Sequence, residues 1–100
     1  YKKGISYANK YLVMYILENH SDKNRLGISV SKKVGNSIIR HRLTRLVRES
    51  YRLQESRFQK GLDMVVVCRA SAKGKSYHDL ESALIHLGKL HNIIDDSLEM

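Results

Sequence analysis

The stretch from Ser37 to about Gln54 constrains this chain more than any other. At the ~100° per residue of an α-helix, Ile39, Leu43, Leu46, Val47, Ser50 and Leu53 share one arc. Arg40, His41, Arg42, Arg45, Arg48 and Arg52 take the opposite one. An amphipathic helix is predicted there, with Asn36 as its N-cap. Such a helix must bury its apolar stripe against a second layer.

The flanks supply that layer. Leu26-Gly27-Ile28-Ser29-Val30-Ser31 alternates apolar with small residues, which predicts a strand with one core face. Gly27, Ser29 and Ser31 line its open face. Tyr11 to Leu17 is β-branched and aromatic, and Leu62 to Cys68 reads as a buried strand. In the first of these, Tyr11, Val13, Tyr15 and Leu17 should share one face, and Leu12, Met14 and Ile16 the other. Ile5 to Tyr7 reads as a short extended piece, and Glu18 to Arg25 as a hairpin loop. Ser76 to His91 reads as a second helix, capped by Ser76, with Leu80, Ala83, Leu84, Leu87 and Leu90 as its buried stripe. The tail from Asn92 receives no assignment. The expected fold is α+β, a two-layer sandwich of helices on a sheet of about four strands, in one domain over residues 1–100.

Charge is concentrated in the same region. Lys23 to Lys60 holds eleven basic and two acidic residues, a net of +9, while the whole chain carries +8. The positive balance is therefore a local footprint, and it predicts a polyanionic partner. A solvated face is the bland alternative. Such faces mix signs, because like charges one turn apart repel. Here Glu49 is the one acid on the helix, and Arg48 with Arg52 is a like-charge pair. Arginine predominates, and its planar fork grips phosphate. Lys32, Lys33, Gly35 and Asn36 lead into the helix N-terminus, whose free N–H groups favour phosphate. Gly35 also serves as a turn residue.

A membrane surface fits less well, because the apolar arc is committed to the sheet. Groove reading in DNA lacks its usual helix-turn-helix, since a strand leads straight into this helix. Unpaired RNA on an open sheet face fits better. Tyr11 and Tyr15, with Ser29, Ser31 and Lys33, would form an aromatic and polar platform. Tyr15 reads equally well as a core residue.

Leu26-Gly27-Ile28-Ser29-Val30-Ser31-Lys32-Lys33-Val34-Gly35-Asn36, followed by Arg40-His41-Arg42, Arg45 and Arg48-Glu49, resembles the bacterial ribonuclease P protein family. Gly4, Ser6, Ala8 and Asn9 extend the likeness, which runs from about Lys2 to about Leu90. The resemblance implies a ribosomal protein S5 domain 2-like fold with a left-handed βαβ crossover around the basic helix. It implies a subunit of a ribonucleoprotein endonuclease that trims the 5′ leader from precursor tRNA, with catalysis by the RNA. Arg40, His41, Arg42, Arg45, Arg48 and Arg52 would bind the ribonuclease P RNA. Asn9, Tyr11, Tyr15, Ser29, Ser31, Lys32 and Lys33 would bind the leader. Mg²⁺ would be held chiefly by RNA, with none bound stably by the protein.

Three departures stand out. His41 replaces the family's usual asparagine, and Thr44 stands where a basic residue is common. Tyr1 to Gly4 reads as the end of an amino-terminal helix that closes the leader cleft, so the amino terminus is expected to be incomplete. That would leave the leader site short of a wall, or drive self-association through an exposed apolar face. The tail, with Asp95, Asp96 and Glu99, is acidic where many relatives are basic.

Other chemistry is excluded. His20, His41, His78, His86 and His91 show no metal-ligand spacing. No phosphate loop or nucleophile elbow occurs. Cys68, the one cysteine, sits in an apolar run and reads as a reduced, buried thiol. No apolar run is long enough to span a bilayer, and a cytoplasmic setting is expected. A general RNA-binding or ribosome-associated module without enzymatic assembly is the remaining alternative.

Overall fold

The computed structural model describes residues 4–94. The elements run β1 (Ile5–Ala8), β2 (Leu12–Glu18), β3 (Arg25–Val30), α1 (Ser37–Gln54), β4 (Leu62–Cys68) and α2 (Tyr77–Leu90). Short 3-10 turns follow α1 and β4. The strands form one mixed sheet in the order β1-β2-β4-β3. β4 pairs antiparallel with β2 and parallel with β3, so β3–α1–β4 is a parallel βαβ unit.

The strand order corrects the expected hairpin. β2 and β3 are neighbours in sequence, but β4 lies between them. The segment joining them therefore spans the start of β4 and is fastened to it. Asn19 Nδ2 donates to Asp63 Oδ1 at 3.0 Å, and Asn24 Oδ1 accepts from the Leu62 N–H at 2.9 Å. His20 takes the left-handed conformation here, with φ 59°.

Alternation decides the two faces of the sheet. Leu12 and Met14 of β2 and Leu62, Met64, Val66 and Cys68 of β4 are buried beneath the helices. Leu43, Val47 and Tyr51 of α1 and Leu80, Leu84 and Leu87 of α2 close the same core. The uniform apolar run of β4 thus has one helix-covered face; Asp63, Val65 and Val67 are half-buried on the other. Leu53 and Leu90, expected in the buried stripes, are 54% and 42% exposed. Each lies in the last turn of its helix, beyond the layer it was expected to meet.

Caps form as the sequence predicts. Asn36 Oδ1 accepts from the Ile39 N–H at 3.1 Å. Ser76 and Asp79 form a reciprocal capping box at α2. Gly35 has a role beyond its turn: a Cβ there would lie 2.8 Å from Ile39 Cγ2 and 2.9 Å from its Cβ. The chain passes too close to α1 for any side chain. Phe58 forms an isolated bridge with Ile94, which places the first residues after α2 against the core. The acidic residues Asp95, Asp96 and Glu99, and Tyr1 to Lys3 before β1, lie outside the described residues.

Candidate nucleic-acid interface

Two surfaces carry the expected RNA-binding residues. The first is the outer side of α1. His41, Arg45 and Arg48 are exposed, and neither arginine has an ion-pair partner among the described residues. Arg52 is exposed too, but its guanidinium pairs with Glu49 one turn earlier. Arg42 Nη2 donates to the Lys75 carbonyl oxygen at 2.9 Å. These side chains border shallow grooves along the helix, one lined by Ser37, Ile38, His41, Arg42 and Arg45.

Arg40 lies at the margin of this face. It is half-buried, and its Nε is buried with no hydrogen-bond partner among the described residues. The reason is angular. Arg40 lies seven residues before Val47 and eleven before Tyr51, two spacings that return a helix to nearly the same side. Ile38 takes the opposite part. It is 77% exposed among the cationic groups, an apolar side chain where a ribose or base could rest. An isoleucine on the polar arc was the available signal for it.

The second surface is the sheet face away from the helices. Register places Ser6, Tyr15, Val65 and Gly27 in one row, and Ala8, Val13, Val67 and Ser29 in the next. Tyr15 is half-buried there, while Gly27 and Ser29 are exposed. One end of this face is neutralised. Arg25 grips Asp63 with both arms of its fork, at 2.8 and 2.7 Å. That fork, with the Asn19 amide, holds the Asp63 carboxyl down at about 2. Beyond the other end, Ser31, Lys32 and Lys33 are exposed in the turn that leads to α1. Ser31 Oγ accepts from the Lys33 N–H at 3.0 Å and shapes that turn.

Tyr11 and Asn9 lie elsewhere, and the expected common face for Tyr11 and Tyr15 is corrected. Tyr11 precedes β2. The ammonium groups of Lys10 and Lys75 lie over its ring, 5.7 and 5.5 Å from the centroid, in a groove shared with Asp79, Ser82, Ala83 and His86 of α2. Asn9 is a fastening. Its Oδ1 accepts from the Tyr11 and Leu12 N–H groups, and its Nδ2 donates to the Ala83 carbonyl oxygen and lies 3.1 Å from His86 Nδ1. The turn that Asn9 folds ends the alternation, so parity does not extend back to Tyr11.

Cys68 is buried, and burial pushes its thiol up to about 11. No group of three or more His, Cys, Asp or Glu able to hold a metal occurs among the described residues. No helix of the described residues is long and apolar enough to cross a membrane.

An arginine-faced helix is thus entered directly from the strand end Ser31-Lys32-Lys33 and packs under a four-stranded mixed sheet. The family model for ribonuclease P matches residues 1–91. The chain belongs to the ribonuclease P protein family. It is 63% identical over 97 residues to the ribonuclease P protein component of Lachnoclostridium phytofermentans, covering 97% of this chain and 84% of that one. It is 52% identical over 90 residues to a Clostridium botulinum relative of the same name, covering 89% and 81%. The Staphylococcus aureus ribonuclease P protein structure superposes with a TM-score of 0.85 at 36% identity, over 94% of this chain and 86% of that one. The Thermotoga maritima ribonuclease P protein gives 0.83 at 33%, over 89% and 84%. The α+β architecture is thus that of the ribonuclease P proteins. Membership also decides between the two readings of the sequence. The chain serves tRNA 5′ maturation as part of a ribonucleoprotein ribonuclease, rather than as a general RNA-binding module.

Proposed function

We propose that the chain works by holding two RNAs on two surfaces: the ribonuclease P RNA along the outer side of α1, and the single-stranded 5′ leader of precursor tRNA across the open sheet face. The observation that carries the first assignment is the exposure of His41, Arg45 and Arg48 on one side of α1, with neither arginine in an ion pair among the described residues. Arg42 and Arg52 flank this group, while Arg40 contributes from a half-buried position at its margin. Gly35 and Asn36 present the first turn of α1 to phosphate. The second assignment is supported by Tyr15, Gly27 and Ser29 in adjoining rows of an uncovered face, with Ser31, Lys32 and Lys33 at its cationic end. Asn9 supports that surface indirectly, by fixing the turn into β2.

In this reading the protein supplies charge, shape and position, and the RNA supplies the reacting groups. This reading assigns Mg²⁺ chiefly to the RNA, and no step is routed through an ion on this chain. The protein would act in the cytoplasm, beside its tRNA substrates.

Reconstitution with a bacterial ribonuclease P RNA tests the proposal. The protein should stimulate precursor-tRNA cleavage at low Mg²⁺, and Arg45→Ala with Arg48→Ala should abolish the stimulation while leaving the fold intact. Full stimulation by that double variant would remove α1 from the interface.

A further inference from the structure

The sheet has two unlike ends. Leu12, Cys68 and Val30 form one register row across β2, β4 and β3. Residues just past that row therefore share an end: Lys10 before β2, Arg69 after β4, and Lys32 and Lys33 after β3. Because β3 and β4 run parallel, α1 and α2 also begin at this end. The loop from β4 to α2 adds Lys73 and Lys75. Asp79, in the first turn of α2, is engaged in capping Ser76. At the far end the signs mix, with Glu18, Asp22 and Asp63 among Lys23, Arg25 and Lys60.

The cationic end is held together by three contacts. Arg69 Nη1 donates to the Asn9 carbonyl oxygen at 2.8 Å. The Ser71 hydroxyl donates to the Lys10 carbonyl oxygen. Arg42 Nη2 reaches the Lys75 carbonyl oxygen from α1 at 2.9 Å. The β1–β2 turn, the β4–α2 loop and the basic helix thus form one connected surface.

Tyr11 stands at its centre. Its ring draws in Lys10 and Lys75 by cation–π attraction. An aromatic face gathers ammonium groups without neutralising them, whereas a carboxylate would cancel the charge. Neither lysine has an ion-pair partner among the described residues. Two like charges are therefore held at one ring, with the capping Asp79 as the carboxylate in the same groove, and a bound anion would relieve their remaining repulsion.

We infer that this end of the sheet is a further RNA contact, where Lys10 and Lys75 around Tyr11 hold the phosphodiester backbone of a strand that continues from the arginine face of α1. The inference rests on the RNA-binding reading of α1. Arg42 joins the two surfaces, and the groove beside Tyr11 is lined by Ser82 and His86 together with Asp79, whose carboxylate is engaged in capping α2. The backbone chemistry is common to the ribonuclease P RNA and to precursor tRNA.

The test compares two charge-matched double variants of the protein, Lys10→Gln/Lys75→Gln and Lys23→Gln/Lys60→Gln, the latter at the opposite end. Binding is measured against salt, to ribonuclease P RNA alone and, in the assembled complex, to precursor tRNA. The first variant should lower the slope of log affinity against log salt by about 1.4, at roughly 0.7 per phosphate contact of a single strand, on one of the two RNAs. The RNA affected identifies the source of the strand. The second variant should leave both slopes unchanged. An unchanged slope in the first variant on both RNAs, with Arg45→Ala still lowering it, overturns the inference and leaves the α1 reading standing. An equal fall in both double variants also overturns it, since the effect would then be general charge. If Arg45→Ala also leaves the slope unchanged, the α1 reading fails as well. Tyr11→Leu should weaken binding without changing the slope, because it disperses the lysines but removes no charge.

Discussion

The guanidinium of Arg42 donates to the carbonyl oxygen of Lys75 across 2.9 Å, so the basic helix holds the loop that leads into α2. One side chain thereby has two tasks, a structural tether and a charge on the α1 surface. Arg42→Ala should lower stability by about 0.5–1.5 kcal/mol, the range of one hydrogen bond, and weaken RNA binding as well. Arg42→Lys should keep the salt dependence of binding while losing the tether. Thermal melts beside filter-binding titrations separate the two. Equal melts for all three proteins would mean that the tether contributes nothing.

Arg48 and Arg52 lie one turn apart and should differ. Arg52 pairs with Glu49, whereas Arg48 has no ion-pair partner among the described residues. Arg48→Ala is expected to flatten the salt dependence of RNA binding by about one unit of slope. Arg52→Ala should do less, because its charge is already partly offset. Glu49→Gln should strengthen binding by releasing Arg52. Slopes measured between low and moderate salt decide the order, and a larger effect at Arg52 would contradict it.

Gly27 gives a clean probe of the open face. A Cβ there meets nothing nearer than Val65 Cγ2 at 3.8 Å, so the position accepts a Cβ, and in Gly27→Val the valine on this exposed face favours a strand. The variant should fold at least as stably as the parent, yet fill the floor on which the leader is proposed to lie. Leader-bearing tRNA should then bind more weakly, with mature tRNA unaffected. Tyr15→Ala should show the same selectivity, with a loss of about 1–3 kcal/mol for one lost stack. A loss shared by both tRNAs would place these residues outside the leader path.

Asp63 links stability to acid. Arg25 and Asn19 hold its carboxyl at about 2, below its ordinary 3.8. A depressed carboxylate contributes stability that is complete above the unfolded value and fades as pH falls from 3.8 through about 2. Asp63→Asn should therefore be less stable than the parent near neutrality and converge with it at the acid end of that window. Chemical denaturation across pH checks the convergence. A gap that persists at the lowest pH would assign the loss to packing.

The helices were legible because period and caps agree. Asn36, Ser76 and Asp79 mark the helix starts where they were expected. Strands were legible through alternation at β3 and β-branching at β2 and β4. Their order was not. Nothing in Glu18 to Arg25 distinguishes a hairpin from a crossing, because the deciding contacts, Asn19 to Asp63 and Asn24 to Leu62, join residues about forty apart in sequence. The α1 surface was legible from its arginines except at Arg40, where a two-arc division hid a marginal position. Tyr11 was misplaced because face parity holds only within a strand, and Tyr11 belongs to the Asn9 turn that precedes β2.

The order β1-β2-β4-β3 also has a meaning in time. β4 is the last strand among the described residues, and it is the one that joins β2 to β3. Until Leu62 to Cys68 has left the ribosome, β2 and β3 each lack their central neighbour, and α1 has no completed sheet to cover. The arginine helix is thus synthesised before the layer that fixes its orientation exists. A nascent chain of this design presents its strongest positive charge to cellular RNA while still unfolded, and acquires its selective shape only when the final strand slots between the other two.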